Sequence, residues 1–464
     1  MTQSSPNRPK TFSSRYLALL KMALSSGIRK RPDILHDSVS AADRKEFIRA
    51  CHRGFDLAQH TVLELLREVA ADGAISPEMR EYRSLLLREV MDSIVYTLVG
   101  TRMHVLRRLV LHDYPPSVNL DVAQHTLKVA DAMNAESRLT FAVVTDLTTS
   151  VHLGDILRID RRGPRRFEVI ELKSGKVNKL LESCLGGLPA TSESLAVIES
   201  DREIPKDYKS QARRMQRQRL RLAQFEEVIS HDRGTDPKFQ TPIRLSQYTH
   251  NLDTYDDALD SLCHDALIHG VAAGTIDEAL HLLAVNSTFY PLNRTIGALG
   301  TFSHHALRTR CPGIREIDAE ITQIAPLEDL LVIVDPVLSN LYACPSRPVP
   351  LWEIDRSHLA SVMDGALHIR VGFDVAAFVK RARSMGYRAG LSSRKEAASA
   401  RRQLGPRAVP MFGNRLLWID AGHGARHLMA GFLGRLVNDL VYPSRCLQMC
   451  ADDPILPTSD GTAG

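Results

Sequence analysis

Two acidic residues and a lysine carry the chemistry that is legible in this chain: Asp155, Glu171 and Lys173. They flank Arg161-Arg162-Gly163-Pro164-Arg165, a basic turn between two short alternating segments, Asp155 to Asp160 and Arg166 to Lys173. That pattern predicts a β-hairpin. A hairpin centred on Gly163 sets Asp155 opposite Glu171, with Cβ atoms about 4.5–5.5 Å apart. Carboxylates so close repel unless a cation or a proton lies between them. Alternation along the second strand puts Phe167, Val169, Glu171 and Lys173 on one face, and a slip of one residue would scatter the set. Oxygen ligands of this kind suit a hard cation, Mg²⁺ or Mn²⁺, rather than zinc. A lysine beside them can hold a phosphate as a point charge. Such a metal can orient water and stabilise charge on a phosphate under attack.

At these residues the chain resembles a known family. Gly154-Asp155, followed by Glu171-Leu172-Lys173-Ser174-Gly175-Lys176, is similar to the motif of the PD-(D/E)XK nuclease superfamily, and in wording to its RecB-like branch. The resemblance implies an α/β, restriction-endonuclease-like core of helix, three antiparallel strands, helix and a further strand. It implies Mg²⁺-dependent cleavage that leaves a 5′-phosphate. Asp155, Glu171 and the Leu172 carbonyl would hold the metal, and Lys173 would be the catalytic lysine. Glu136, at the end of the preceding helix, and Gln211 and Gln218, on the helix after the hairpin, are accessory candidates on the same basis. The chain departs from the family at Gly154, where the motif has proline, and it lacks the branch's Gln-X-X-X-Tyr wording. An acid-X-Lys triplet alone has little specificity: Asp43-Arg44-Lys45, Asp207-Tyr208-Lys209 and Asp236-Pro237-Lys238 repeat it. Only the Glu171 copy ends an expected strand opposite another acid.

The elements that must position these residues follow from periodicity. Residues 1–11 form a polar tail, expected to be mobile. Residues 12–115 read as a helical N-terminal region. Ser40 to Asp43 resembles a capping box, and Ser76-Pro77-Glu78 is a second helix start, whose helical spacing runs on to Leu111. Tyr114-Pro115-Pro116 breaks the pattern. The nuclease-like core is expected over 116–245. It opens with a helix bearing Leu120, Ala123, Leu127, Ala130 and Met133, followed by a buried strand from Leu139 to Thr145. A charged helix from about Lys206 to Ser230 closes it, with an apolar stripe of Tyr208, Ala212, Met215, Leu222 and Ile229. On a helical wheel Gln211 and Gln218 border that stripe, whereas Gln216 and Gln224 point away. Residues 246–464 read as a mixed α/β domain of unknown role. Helices are expected over Tyr255–His269 and Asp374–Met385, and short strands over Leu330–Val334, Leu367–Val371 and Leu416–Ile419.

The chain has 464 residues, 44% hydrophobic and 24% charged, which excludes disorder as its main state. A net charge of +5 permits a polyanionic partner without requiring one. The basic residues are concentrated, however. Arg161, Arg162 and Arg165 in the hairpin turn, with Arg214, Arg217 and Arg221 on the following helix, are the expected nucleic-acid contacts. DNA is preferred to RNA, and DNA repair or anti-phage defence is the expected setting, with room for a protein partner in a multi-subunit system. The alternative is a non-catalytic nucleic-acid-binding or assembly subunit on a nuclease-like fold. Seven cysteines without a Cys-X-X-Cys pair, no apolar membrane span and no signal peptide point to the reducing cytoplasm. No Walker A loop, Gly-X-Gly-X-X-Gly fingerprint or nucleophile elbow occurs, so an ATP-driven role would need a partner. His423 and His427 near Asp420 lie in a glycine-containing loop, and His264, His269 and His304-His305 read as structural or surface histidines.

Overall fold

A computed structural model of the chain describes residues 12–23, 41–99, 103–111, 115–137, 139–160, 166–172, 209–238, 240, 242–244, 253–288, 331–337, 347–363, 365–404, 410–422, 424–428 and 430–452. The protein is mixed α/β, with small antiparallel sheets among its helices. It divides into two compact units, one of residues 1–247 with 341–351, the other of residues 248–340 with 352–464. The tail expected over 1–11 lies outside the described residues.

The first unit opens with four helices: α1 (Phe12–Ala23), α2 (Ala41–Ala71), α3 (Pro77–Leu98) and α4 (Met103–Leu109). Ser76 caps α3 as its sequence predicts, accepting a bond from the Met79 amide at 3.2 Å, with Pro77 at the first helical position. From Leu85 to Val95 every α3 residue is buried, so this helix runs through the middle of the helical layer. The helical run expected to reach Leu111 is divided, α3 ending at Leu98 and α4 starting at Met103.

A three-stranded meander follows α5 (Leu120–Glu136): β1 (Thr140–Val144), β2 (Ile156–Asp160) and β3 (Arg166–Ile170), antiparallel in the order β1-β2-β3. Asn119 caps α5 by accepting from the Asp121 and Val122 amides, and Ala123, Leu127 and Ala130 make its buried face. Through this face α5 packs against β1. β1 is buried at all five residues, matching its continuous apolar run. Its outer edge is satisfied by side chains in place of a fourth strand. Gln59 of α2 donates to the Ala142 carbonyl at 3.1 Å and accepts from the Val144 amide at 2.9 Å. Asn134 of α5 accepts from the Ala142 amide at 2.7 Å. Unpaired edge groups buried under helices would be costly, and two amide side chains meet that demand.

Beyond the hairpin, α6 (Lys209–His231) leads to β4 (Arg233–Thr235), which pairs with β5 (Pro242–Arg244) in a two-stranded sheet of its own. An ion pair between Arg108 and the buried Asp236 joins this segment to α4.

The second unit holds α7 (Asp256–His269) and an antiparallel sheet ordered β6-β7-β9-β8 from Val271–Ile276, Leu280–Asn286, Leu331–Val334 (β8) and Leu367–Asp374 (β9). The helix α8 (Arg356–Met363) precedes β9. After it come α9 (Val375–Ser384), β10 (Arg388–Leu391), α10 (Arg394–Leu404), β11 (Leu417–Asp420), β12 (Arg426–His427), α11 (Ala430–Val437) and α12 (Pro443–Asp452). Phe373, Phe378 and Phe412 pack edge to face in its core, and the Tyr255 hydroxyl donates to the Leu436 carbonyl at 2.6 Å. Among the described residues no helix is long and apolar enough to cross a membrane.

Candidate functional site

The hairpin forms in the register expected from its turn. Ile156 faces Ile170, Leu157 faces Val169, Arg158 faces Glu168 and Asp160 faces Arg166. Arg158 and Glu168, opposed across the ladder, form an ion pair at 3.0 Å. Asp155 and Glu171 are the next residue out on each strand, and both are half-buried. The strand ending is irregular. The Asp155 amide donates to the Ile170 carbonyl at 2.8 Å, although Ile170 faces Ile156. Two residues of one strand thus address one of the other, the arrangement of a β-bulge. The Asp155 carboxylate turns inward and accepts from the Leu172 amide at 2.5 Å.

Gly154 explains why this motif has no proline. Its φ of +67° lies in the left-handed region. A Cβ there would meet the Val169 side chain and come within 2.9 Å of the Ile170 carbonyl oxygen. Thr145, the first residue after β1, locks the same corner. Its amide donates to the Asp155 carbonyl at 3.0 Å and its hydroxyl to the Gly154 carbonyl at 2.6 Å. Asp155 is therefore held by backbone bonds from β3 and from the turn after β1, and its side chain re-aimed by the bulge.

The remaining expected residues fall in three groups. Lys173, Arg161, Arg162 and Arg165 lie outside the described residues. Glu136 is the last residue of α5 and is exposed. On α6, Arg214 and Arg217 are exposed, while Arg221 is half-buried, and burial together with the charge of Arg217 lowers its pKa. The helical wheel misplaced two glutamines. Gln216 is fully buried and Gln224 nearly so, whereas Gln211 and Gln218 are half-buried. The packed face consists of Ala212, Met215, Phe225 and Val228 with those two glutamines. Their amides are paired: Gln216 accepts from Arg219 at 3.3 Å, and Gln224 exchanges bonds with Gln240 at 2.9 and 3.0 Å. A hydropathy pattern counts glutamine as an outward residue; a paired glutamine need not be one.

Two constellations in this unit were not anticipated. The first is a buried polar network on α3. Asp92 accepts from the amides of Thr149 and Ser150 at 2.9 and 3.0 Å, and from both hydroxyls. Arg88 donates to the Pro116 and Thr148 carbonyls. Glu89 accepts from the Val349 amide at 3.2 Å. Burial, and secondarily the neighbouring Asp92, push the Glu89 carboxyl well above its ordinary range. Asp146, in the turn after β1, is also pushed up by burial and pulled down by Arg88. Asp146 adjoins Thr145, so this network reaches the corner that holds Asp155. The second constellation is Asp56 and His60 on α2 with Asp131 on α5. The spacing of Asp56 and His60, four apart on a helix, was readable as one face. Asp131 lies 71 positions after His60, and only the packing of α2 on α5 brings it in.

No protein-family model, curated protein or solved structure matches this chain.

Proposed function

We propose that the hairpin end is the active site of a Mg²⁺- or Mn²⁺-dependent nuclease of the PD-(D/E)XK type, acting on DNA. One observation carries the reading: the Leu172 amide is bonded to the Asp155 carboxylate, so the end of the β2–β3 hairpin brings Asp155 to the backbone that follows Glu171. The donor set of two half-buried carboxylates and a backbone carbonyl is all oxygen, which fits a hard divalent cation. Asp155, Glu171 and the Leu172 carbonyl would hold it. When bound, such an ion orients water and offsets charge on the phosphate. Lys173, next in the chain, would hold a non-bridging phosphate oxygen through its ammonium group. Water would attack phosphorus with loss of the 3′-oxygen, leaving a 5′-phosphate and a 3′-hydroxyl. Among the described residues the order α5, β1, β2, β3, α6 is that of helix, three antiparallel strands and helix, which supports the reading; the strand that follows, β4, pairs with β5 apart from this sheet.

The arginines of α6 would bind the phosphate backbone. Arg217 and Arg221 sit one helical turn apart, and the charge of the first disfavours that of the second. Like charges at this spacing cost a helix about 0.2–0.5 kcal/mol, and a polyanion would relieve that cost. The test is cleavage of plasmid and oligonucleotide DNA with Mg²⁺, Mn²⁺ or EDTA. Wild type should cut only with metal, and Asp155→Ala and Lys173→Ala should not cut. Equal cleavage by all three proteins would overturn the assignment.

A further inference from the structure

We propose that Asp56, His60 and Asp131 form a second, chemically distinct metal site, one that takes Zn²⁺ or a similar borderline divalent cation and clamps α2 to α5. One ligand atom from each residue lies within 4.8 Å of the others. The His60 Nε2 and Asp131 Oδ1 atoms are 3.0 Å apart. Ligands around an ion at about 2.1 Å are separated by roughly 3.0–3.4 Å when adjacent and by about 4.2 Å when opposite. Closing the remaining gap therefore requires only small side-chain rotations, and both helices already present their ligands.

One of the three side chains, Asp56, is braced from within the fold. Asn134, buried on the inner face of α5, donates to Asp56 Oδ1 at 3.1 Å and is fixed by its bond from the Ala142 amide at 2.7 Å. Asp56 is thus oriented by the same asparagine that satisfies the edge of β1, the role that outer partners play around metal-ligating carboxylates. The neighbouring Gln59 ties α2 to the same strand through Ala142 and Val144. His60 and Asp131 are roughly two-fifths and one-third exposed, which leaves an open side for water to complete the coordination. The donor chemistry selects the ion. One imidazole nitrogen with two carboxylates suits Zn²⁺ over Mg²⁺, whereas the hairpin end offers oxygen alone. The inference is independent of the nuclease reading, since no ligand is shared.

The experiment uses the full chain carrying Asp155→Asn and Glu171→Gln, so that the hairpin end cannot contribute, and titrates ZnCl₂ by calorimetry and by thermal melting. The expected result is one Zn²⁺ whose affinity falls at least tenfold with either His60→Ala or the isosteric Asp131→Asn. Zn²⁺ should raise the melting temperature of the parent and not of those two variants, because a ligand stabilises only the state that binds it. MgCl₂ at the same excess should not reproduce the shift. Absence of Zn²⁺ binding to the parent, or unchanged binding in both variants, would overturn the proposal and reduce the cluster to an ion pair. Cleavage by the unsubstituted chain is scored separately, so either site can fail without the other.

Discussion

Two pairs of acidic residues in the first unit differ in depth. Glu89 and Asp92 on α3 are each 2% exposed and face protein donors, with Arg88 beside them. Asp155 and Glu171 are half-buried at a strand end. Burial of a carboxylate costs several kcal/mol unless bonds or a proton compensate, so the inner pair must be consumed by the fold. Asp92 is compensated by four donors from Thr149 and Ser150, whereas Glu89 accepts from the Val349 amide, and burial raises the pKa of both carboxyls. The outer pair lies where solvent, an ion and a substrate can reach. Depth, more than residue type, separates a pair that builds the molecule from one that can act for it.

That contrast can be broken by substitution. The largest effect is expected on catalysis: Glu171→Gln should lower metal-dependent cleavage about 10²–10⁴-fold, the range for a group acting on the reacting centre, with little change in melting temperature. A matching loss of stability would place Glu171 in the structural class. Next, Asp92→Ala should destabilise the unit by about 3–5 kcal/mol in denaturant titrations, because it leaves the buried Thr149 and Ser150 donors without their acceptor and removes a negative charge that favours the buried Arg88. A cost below about 1 kcal/mol would refute the structural role given to this network. Gly154→Ala should cost about 1–2 kcal/mol from its left-handed backbone alone, and more from the contact with Ile170. Because the bulge aims Asp155, the same variant should lose cleavage even at temperatures where it stays folded.

The pH dependence of stability sharpens the contrast further. Folding raises the Glu89 pKa from 4.5 to about 8. Its contribution is therefore fully present below about pH 4.5, is lost as pH rises toward 8, and is constant above that. The slope cannot exceed about 1.4 kcal/mol per pH unit for one proton. Glu89→Gln, which keeps an acceptor for the Val349 amide, should flatten stability between those limits and be the more stable protein at pH 8. An unchanged slope would show that Glu89 does not titrate in this window. The smallest effect is expected at Arg217→Ala: weaker DNA binding across sequences, and a salt slope shallower by about one. Unaltered salt dependence would remove Arg217 from the interface.

Much of the local structure was legible in the residues themselves. Ser76-Pro77-Glu78 starts a helix because a serine cap and a proline at the first helical position act within one turn. The hairpin register follows from the turn between β2 and β3 and from alternation, which are short-range properties of residues 155–171. Elsewhere short-range patterns were insufficient. The expected outward direction of Gln216 and Gln224 was wrong because Arg219 and Gln240 meet their amides. The helical spacing that runs to Leu111 did not reveal the gap between α3 and α4.

By itself the sequence determined which residues could do chemistry and which short elements would carry them, because dihedral preference, capping and alternation act over a few residues. Tertiary structure decided the rest. It placed Thr145 against Gly154 and Asp155, turned the Asp155 carboxylate to the Leu172 amide, and brought Asp131 to Asp56 and His60. It also buried Glu89 with Asp92, raising the pKa of two ordinary acids on one helix in a way their residue types do not announce. Contacts between residues far apart in the chain depend on how helices and strands pack, and packing is a property of the whole core.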